Sequence, residues 1–434
     1  MTNLTNTETD SDWIGDIPDN WSLEKLKYIF SEKKSTSNSG LQCGSISFGK
    51  VIFKNDDKVP DSTKQSYQEV LEGEFLINPL NLNFDLKSLR IGLSKISVVV
   101  SQGYIVLKIN DGYLPSYYEY LLRKFDVEHM KSLGQGVRQT ISFTHIKGER
   151  LVVPPTEEQQ LISRYLDKKT EQIDSLVEKI QKKIELLKEQ RTSLINQCVT
   201  KGLDPSVEMK DSGIETIGEI PKHWDTKRLK YFLSYTKGFA FKSDVFEDEG
   251  IPIVRASDVK KGTINNPNVF LDPGSVGTYH KVILQTGDII ISTVGSQYST
   301  TDSAVGQVAM VPEELDGSLL NQNTVFVRLT EEFIDRNFLF YTFLTRHFRS
   351  HLDVHSHGTA NQASLNVEDI LNYSMIFPGL PEQKEIVFSL ERNLTKVDRS
   401  IDLGLRRTNL LREYRQSLIS SVVTGKVRVT EDMI

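Results

Sequence analysis

The chain has 434 residues, of which 38% are hydrophobic and 25% charged, and its formal net charge is −6. At about 100–200 residues per domain, the length suggests two to four domains, and the composition excludes a wholly disordered chain. A net acidic charge argues against a nucleic-acid binder, because such proteins usually carry a basic surface. The acid is concentrated, however: segment 1–20 carries −5 and segment 202–220 carries −4, which leaves +3 for the remainder.

Cysteine content and hydropathy indicate the compartment. Cys43 and Cys198 are the only cysteines, too few for a disulfide framework or a Cys-rich zinc site. No apolar run approaches the roughly 20 residues of a membrane span. Residues 1–12 are polar and acidic, unlike a signal peptide. We therefore expect a soluble, cytoplasmic protein.

The chain begins with a segment that it later repeats. Residues 14–28 read IGDIPDNWSLEKLKY and residues 217–231 read IGEIPKHWDTKRLKY, with eight of fifteen positions identical. Each segment predicts a turn followed by a Trp and a short amphipathic helix. The apolar positions of the two helices are Leu23, Leu26, Ile29 and Phe30 in the first copy, and Leu229, Phe232 and Leu233 in the second.

The interior of each copy predicts β-strands followed by a helix. The strand-like runs are 74–77, 96–100 and 104–107 in the first copy, and 251–254, 287–291, 305–311 and 324–327 in the second. The helices are expected at about 116–132 and 333–352. Apart from these elements the two interiors differ in sequence, and the second is about 21 residues longer.

A long helix closes each copy. Pro154–Gln159 and Pro378–Gln383 share the pattern Pro-x-x-x-Glu-Gln, which is typical of a helix start. Apolar residues then recur every seven positions at Ile173, Ile180, Leu187 and Leu194, with Val177, Ile184 and Cys198 beside them. The second helix has Val397, Ile401, Leu411, Leu418 and Val422, but Gly404 interrupts its heptads. Such a stripe requires a partner, so the two helices are expected to pair with each other; packing on their own domains is the alternative.

These elements predict an α+β fold: two β-rich domains joined by two long antiparallel helices, as a pseudo-two-fold tandem duplication. The predicted organisation is a flexible acidic tail (1–20), a first domain (21–155), a central long helix (156–201), an acidic linker (202–220), a second domain (221–379), a C-terminal long helix (380–424) and a tail (425–434).

Motifs for catalysis are missing from the sequence. Gly44-x-x-x-x-Gly49-Lys50 resembles a phosphate-binding loop, but Val51 stands where a magnesium-ligating Ser or Thr is needed. Neither a methyl-transfer motif nor a glycine-rich cofactor loop is found. We therefore predict no catalytic, cofactor-binding or metal-binding residue. Four histidines, His347, His351, His355 and His357, could hold zinc or nickel, but they agree better with contacts to phosphate or bases, or with a solvated helix end.

Polar residues at predicted strand ends are the candidate DNA contacts, because Arg, Lys, Gln and Asn reach base edges while Gly, Ser and Thr allow the backbone to approach phosphate. Ordinary loops have similar compositions. The candidates in the second copy are Lys237, Phe241, Lys242, Arg255, Ser257, Ser292, Thr293, Ser296, Gln297, Gln322, Arg346, Arg349, His355 and His357. Those in the first copy are Asn78, Arg90, Gln102, Tyr104 and Arg138.

Together, the motifs resemble the specificity subunit of a type I restriction–modification system over residues 14–424. They are the paired Ile-Pro-x-x-Trp openings (Ile17 to Trp21 and Ile220 to Trp224), the Gly-Asp-Ile-Ile-Ile-Ser run at 287–292 with its echo Gly-Glu-Phe-Leu-Ile-Asn at 73–78, and the two Pro-x-x-x-Glu-Gln helix starts.

The resemblance implies two target-recognition domains, each reading one half of a split double-stranded DNA sequence. It also implies binding to two modification (methyltransferase) subunits and, in the full complex, to restriction (motor-nuclease) subunits. S-adenosylmethionine would be held by the modification subunit, and ATP and Mg2+ by the restriction subunit, so this chain is expected to be non-catalytic. A helical scaffold protein that binds no DNA is the alternative.

Two expectations concern mechanism. A helix of about 44 residues spans roughly 66 Å, more than one DNA turn of about 34–36 Å, so helix length should set the unread spacer. Changes near Leu186–Gln190 would then alter the spacer and leave the half-sites unchanged. Because the two lobes carry +4 (21–156) and −4 (221–380), the isolated chain is expected to bind DNA weakly without its partners.

Overall fold

The structure, a computed structural model, describes residues 6–7, 9, 11–57, 59–80, 89–133, 140–260, 262–295, 305–359 and 362–434. The chain divides into two compact units. Unit 1 comprises Met1–Gln181 and Arg406–Ile434, and unit 2 comprises Lys182–Leu405. Each unit therefore combines one β-rich lobe with the first part of one long helix and the last part of the other.

Unit 1 is built on a four-stranded antiparallel sheet in the order β2-β5-β3-β4, with a separate pair β1–β6. The helix after β5 packs against the sheet, and the long helix follows β6. The bounds are β1 (Ser22–Lys25), β2 (Phe30–Glu32), β3 (Phe75–Ile77), β4 (Ile91–Leu93), β5 (Ile105–Ile109), α1 (Pro115–Glu128), β6 (Arg150–Val153) and α2 (Thr156–Lys201).

Unit 2 repeats this arrangement, with a four-stranded antiparallel sheet in the order β8-β11-β9-β10 and a pair β7–β12. The divergent interiors of the two copies thus share one sheet topology. The bounds are β7 (Asp225–Arg228), β8 (Leu233–Lys237), β9 (Ile289–Ser292), β10 (Val308–Met310), β11 (Thr324–Leu329), α3 (Arg336–Phe343), α4 (Arg346–Val354), β12 (Ser374–Phe377) and α5 (Leu380–Val423).

Short elements complete both lobes. The additional strands are Asn6–Thr7, Ile17–Pro18, Gly44–Ser47, Lys50–Phe53, Gln68–Val70, Val98–Val100, Met209–Asp211, Glu219–Pro221, Ile251–Val254, Val259–Lys260, Thr263–Ile264, Phe270–Leu271, Val294–Gly295, Leu319–Leu320, His357–Thr359 and Gln362–Ser364. The additional helical turns are Leu26–Ile29, Asp61–Gln65, Met130–Leu133, Phe143–Ile146, Leu229–Tyr231, Ser243–Val245, Pro273–Val282, Glu313–Leu315, Val367–Leu371 and Glu431–Met433.

The predicted short amphipathic helix after each Trp is wrong. In both copies the segment is a strand, a single helical turn and a second strand. Tertiary pairing is the reason, because Ser22–Lys25 pairs residue by residue with Arg150–Val153, and Asp225–Arg228 pairs in the same way with Ser374–Phe377. The single turn between the strands buries Leu26 and Ile29 in unit 1 and Leu229 in unit 2.

The two long helices have 46 and 44 residues. Within unit 1, Ile162 and Leu166 of α2 share a core with Ile419 of α5, and within unit 2, Ile195 of α2 shares a core with Leu390 of α5. The predicted helix pairing is therefore present in each unit, together with the packing on the lobes that was its alternative. Of the helices in the described ranges, none is long and apolar enough to cross a membrane.

The acidic segments are less independent than the sequence suggests. A flexible tail over 1–20 is wrong for its second half, because Trp13, Ile14 and Ile17 are buried in the core of unit 1. In the linker, Met209–Asp211 pairs with Glu219–Pro221, and Ile220 is fully buried. Both segments are therefore attached to the lobes through apolar side chains, while most of their acidic side chains remain at the surface.

Candidate nucleic-acid interface

The repeated motifs at the two ends of each copy meet in space. In unit 1, the Trp21 indole Nε1 donates to the Glu158 carboxylate at 2.8 Å. In unit 2, Trp224 Nε1 donates to Glu382 at 3.1 Å. Each Trp belongs to an Ile-Pro-x-x-Trp opening and each Glu to a Pro-x-x-x-Glu-Gln helix start. The resemblance between the copies is therefore strongest where a lobe is fastened to its long helix.

The glutamine next to each Glu is buried and bonds to backbone groups. Gln159 accepts from the Leu114 amide at 3.0 Å and donates to the Pro154 carbonyl at 2.8 Å. Gln383 accepts from the Asp335 amide at 2.7 Å and donates to the carbonyls of Phe333 and Pro378. These side-chain amides join the start of each long helix to the segment that leads into α1 in unit 1 and into α3 in unit 2, so they position the lobe.

The Gly-Asp-Ile-Ile-Ile-Ser run and its echo have a structural role. Gly287 and Gly73 have φ of +86° and +87° and form the turn that precedes β9 and β3. The carboxylate of Asp288 accepts from the Gln285 amide and pairs with Arg328 at 2.6 Å. Glu74 accepts from the Leu71 amide and pairs with Lys33 and Lys108. Each carboxylate thus binds a turn to neighbouring strands, which makes it part of the scaffold.

In unit 2, several predicted contact residues gather at one end of the sheet. Lys237 ends β8, and the amide of the following residue donates to the Thr324 carbonyl at the start of β11. Thr293 follows β9, and its amide donates to the Asn323 carbonyl at 2.8 Å. The ends of these strands and the starts of the following loops therefore meet at one edge of the sheet, as was predicted for the candidate DNA contacts.

Two further candidates lie on loops joined to this edge. Gln322 is exposed, and its main-chain amide donates to the Phe239 carbonyl at 2.8 Å. Arg255 follows a strand whose last carbonyl, that of Val254, accepts from the Asn321 amide. Its guanidinium contacts Asn268 at 2.6 Å, which holds the side chain on this loop. Lys242 and Ser257 are exposed in the same loops.

Burial corrects two of the candidates. Ser292 is 0% exposed and pairs with Thr324 inside the sheet, so its side chain offers no surface to DNA. Phe241 is only 7% exposed, and its ring packs against Tyr279 with centroids 4.9 Å apart. Phe239, which was not selected as a contact although it lies in the same segment, is 46% exposed and packs against both rings. Phe239 and Phe241 alternate along the segment, which indicates that their side chains face opposite sides. The alternation does not show which of the two faces the core.

The Arg/His cluster is only partly available for binding. The Arg349 guanidinium donates to the Val305 carbonyl at 2.6 Å and pairs with Asp353, so it is committed to internal contacts. The His355 ring is hydrogen-bonded to the His351 carbonyl, and His351 stacks beside it. His357 and Arg346 remain exposed, but the Arg346 amide donates to Asn196 of α2, which places it beside the long helix.

In unit 1, Asn78, Arg90 and Tyr104 meet at the corresponding end of the sheet. Asn78 follows β3, Arg90 precedes β4 and Tyr104 precedes β5, and the Asn78 amide donates to the Arg90 carbonyl at 2.8 Å. Burial raises the pKa of the half-buried Tyr104 hydroxyl. Gln102 is exposed near them, and its amide group donates to Ser35 and to the Ser66 carbonyl.

Behind this edge lies a buried carboxyl, Asp126 of α1. It accepts hydrogen bonds from the amides of Arg90 and Ile91, and thereby fixes the entry into β4. Burial raises its pKa to about 6, although the hydrogen bonds and the positive charges of Lys131 and Arg90 act in the opposite direction. The position of Arg90 at the edge therefore depends on a carboxyl that sequence reasoning did not select.

The Gly-rich segment 44–50 is a β-hairpin and leads into no helix, so it is not a phosphate-binding loop. Ser47 pairs with Lys50, and Phe48 and Gly49 form the two-residue turn with φ of +48° and +72°. A left-handed conformation costs a non-glycine residue about 1–2 kcal/mol. Phe48 is nevertheless 82% exposed at this tip. Phe48 was not among the predicted contacts, because the glycine spacing of this segment is typical of a phosphate-binding loop.

Three candidates, Arg138, Ser296 and Gln297, lie outside the described residues. In the ranges the structure does describe, no group of three or more His, Cys, Asp or Glu is arranged to hold a metal ion. Cys43 and Cys198 are both buried free thiols, and burial raises the pKa of each.

Comparisons with known proteins agree with this architecture. A family profile described as type I restriction modification DNA specificity domain matches residues 90–186 and 221–410. The type I restriction enzyme MjaVIII specificity subunit of Methanocaldococcus jannaschii is 24% identical over 428 residues, covering 95% of this chain and 94% of that protein.

Two solved structures share the fold over nearly the whole chain. One, from work on complex assembly and conformational transition of the type I R-M system, has a TM-score of 0.64 and 15% identity, covering 95% of this chain and 99% of that chain. The HsdS subunit from Thermoanaerobacter tengcongensis has a TM-score of 0.51 and 15% identity, with 97% and 100% covered. The predicted fold class is thereby confirmed.

Proposed function

The chain belongs to the family of type I restriction modification DNA specificity proteins, and from that premise we propose that its two units read the two halves of a bipartite, asymmetric DNA sequence. The observation that carries this division is the matched sheet edge. In both units the ends of the strands equivalent to β3 and β5 bring polar side chains to one place on a shared topology. The side chains at the two edges differ, so the two half-sites should differ as well.

The contacts proposed for the half-site of unit 2 are the exposed Lys237, Lys242, Ser257 and Gln322 at its edge, together with the partly exposed Arg255 and Thr293. Those for the half-site of unit 1 are Asn78, Arg90, Gln102 and Tyr104. Lys and Arg can bind phosphate or guanine, and Gln and Asn can bind adenine through two hydrogen bonds. Ser292 and Phe241 are left out because they are buried, and Arg349 and His355 because they belong to α4 and its C-cap and not to the sheet edge.

In this proposal the chain is non-catalytic and acts through partners. Two modification subunits, which hold S-adenosylmethionine, dock on the long helices and methylate the recognised site. Restriction subunits, which use ATP and Mg2+, complete the full complex. The long helices set the length of the unread spacer. A scaffold that binds no DNA would not need two matching edges with different polar groups.

Methylation mapping tests the proposal. The chain is expressed with its modification subunit in cells without other adenine or cytosine methylation, and the genome is sequenced with modification detection. One bipartite motif with two unrelated halves and a fixed spacer is expected, and its loss when this chain is omitted. Methylation that does not depend on this chain, or a single undivided motif, would contradict the proposal.

A further inference from the structure

The hairpin Gly44–Phe53 presents an aromatic ring to solvent in a strained conformation. Its two-residue turn, Phe48-Gly49, needs positive φ at both positions, for which Asn or Gly is the usual residue at the first. A bulky side chain there is an outlier, and such outliers cluster at functional sites. The ring of Phe48 is 82% exposed, so no internal packing compensates for the strain.

The hairpin is held firmly at its base and along one side. A Cβ atom on Gly92 would lie 2.5 Å from the Gly49 carbonyl oxygen, and one on Gly44 would lie 2.7 Å from the Val98 side chain. Such close approaches leave the turn little freedom to move against β4. The backbone of the tip therefore projects from a fixed position beside β4.

The tip lies next to the edge assigned to DNA in unit 1. A Cβ atom on Gly49 would lie 2.8 Å from the Leu89 side chain and 3.3 Å from the Ile91 carbonyl oxygen, and these two residues flank Arg90 in the chain. The Tyr104 hydroxyl is hydrogen-bonded to the backbone of Ile46 in the same hairpin. The hairpin and the proposed base-reading residues therefore form one continuous surface.

Charge favours nucleic acid over protein as the partner of this tip. Segment 43–54 contains Lys50 and Lys54, both exposed, and no acidic residue. Lys50 adjoins the turn and Lys54 lies at the base of the hairpin, so the hairpin offers positive charge for phosphate together with an exposed ring for an apolar contact to bases. A two-stranded ribbon of this size also fits the major groove.

We propose that the Phe48 ring contacts base pairs of the half-site read by unit 1, and is a specificity-determining residue there. The inference rests on the proposed function and deepens it. The contact is apolar, with either the methyl group of a thymine or the faces of a base step that the ring opens.

The test replaces Phe48 in the full chain, assembled with its modification subunits. Asn tolerates the left-handed turn, so Phe48→Asn should keep or raise the Tm while it removes the ring. We expect DNA affinity for the mapped site to fall about ten-fold, since apolar and stacking contacts to bases are worth about 1–3 kcal/mol. Mapping should show relaxed specificity in one half-site only. Tyr28→Asn, which removes another exposed ring from unit 1, is the control and should change neither property.

Modified oligonucleotides separate the two contacts. If the ring meets a thymine methyl, deoxyuridine at that position weakens binding of the wild type and not of Phe48→Asn. If it opens a base step, 2-aminopurine fluorescence there rises with the wild type alone. Unchanged affinity and motif in Phe48→Asn would overturn the inference, as would loss of assembly with the modification subunits, which would indicate a protein contact. Absence of any bipartite motif with the wild type would overturn the proposed function and this inference together.

Discussion

Arg191 donates from Nε to Oδ1 of Asp398 at 3.0 Å, which joins the two long helices within unit 2. The positions 224 residues away are Arg415 and Asp174, and they form the same pair within unit 1, with Nε and Oδ1 2.9 Å apart. Each helix therefore supplies the arginine to one unit and the aspartate to the other. The duplication has preserved a cross-helix contact as well as a sequence.

Charge reversal measures this contact. Arg191→Asp places two carboxylates side by side and should lower the free energy of unfolding by about 1 kcal/mol or less, because the groups are partly exposed. The double variant Arg191→Asp with Asp398→Arg should recover most of the loss, and 1 M NaCl should remove most of the difference. Denaturant unfolding of Arg191→Asp, of Asp398→Arg and of the double variant, together with the wild type, gives a double-mutant cycle. A double variant no more stable than the singles would contradict a direct pair.

Loss of the buried glutamines should cost more. Gln383→Leu leaves the Asp335 amide and two carbonyls without their partner, and unsatisfied buried groups cost about 1–3 kcal/mol each. We expect the free energy of unfolding to fall by roughly 3 kcal/mol in Gln383→Leu. The decrease should be somewhat smaller in Gln159→Leu, because that substitution removes fewer hydrogen bonds. Denaturant midpoints measure both. Gln181→Leu, at an exposed site on α2, is the matched control, and equal effects at all three positions would contradict the assignment.

Asp126 predicts a pH dependence. Its pKa in the folded protein is about 6, above the ordinary 3.8, so the folded state binds the proton more tightly than the unfolded state. The stability of unit 1 should therefore rise as pH falls through 6 towards 4. This contribution of Asp126 should be lost again as pH rises through 6. The shift corresponds to about 3 kcal/mol, an upper figure for the gain of Asp126→Asn at pH 8.

The free energy of unfolding of Asp126→Asn and of the wild type, measured from pH 4 to 8, tests this prediction. The variant should lose that part of the pH slope between 4 and 6, and approach the wild type at pH 4. Asp111→Asn, in an exposed turn, is the control and should keep the wild-type slope. A variant less stable than the wild type at pH 8, with the slope intact, would show that the carboxylate charge is needed.

Helix length should control the spacer. Duplicating residues 184–190 in α2 together with the matching residues 408–414 in α5 adds seven residues to each helix, or about 10 Å. At about 3.4 Å per base pair, the unread spacer should lengthen by about three base pairs while both half-sites remain the same. Methylation mapping shows both. A two-residue insertion in the loop after α2, at 204–207, should leave the spacer unchanged. Altered half-sites with a constant spacer would refute the relation.

The sequence predicted the repeat and its helices because both depend on local patterns. Trp21 and Glu158, by contrast, are 137 residues apart and each lies in a motif of unrelated appearance. Their hydrogen bond arises from the way β1 pairs with β6, which no periodicity within either segment encodes. The same pairing explains the failure at Ser22–Lys25, where an apolar spacing suited to a helix is used in a strand.

The candidate interface was predicted as a set of strand ends, and the strand ends do meet. Which side chains face outward could not be deduced. Phe239 and Phe241 alternate along one segment, and only the position of the Tyr279 ring decides that Phe241 is covered. Ser292 ends a strand in the sequence, yet it is fully buried where it pairs with Thr324 of β11. Residue type and position at a strand end therefore predict the region of the candidate interface, but they do not predict which individual side chains are exposed there.

The composition of unit 1 has a consequence for biosynthesis. Its core includes Leu418, Ile419 and Val422, and the Tyr117 hydroxyl donates to the Val423 carbonyl, 306 residues later in the chain. Unit 2 is continuous and can close as soon as Leu405 has left the ribosome. The first lobe must wait until residues 418–423 have been synthesised, roughly 10–50 s after the first part of α2 at about 5–20 residues per second. During that interval the apolar face of α2 near Ile162 has no partner helix, so the half made first is completed last.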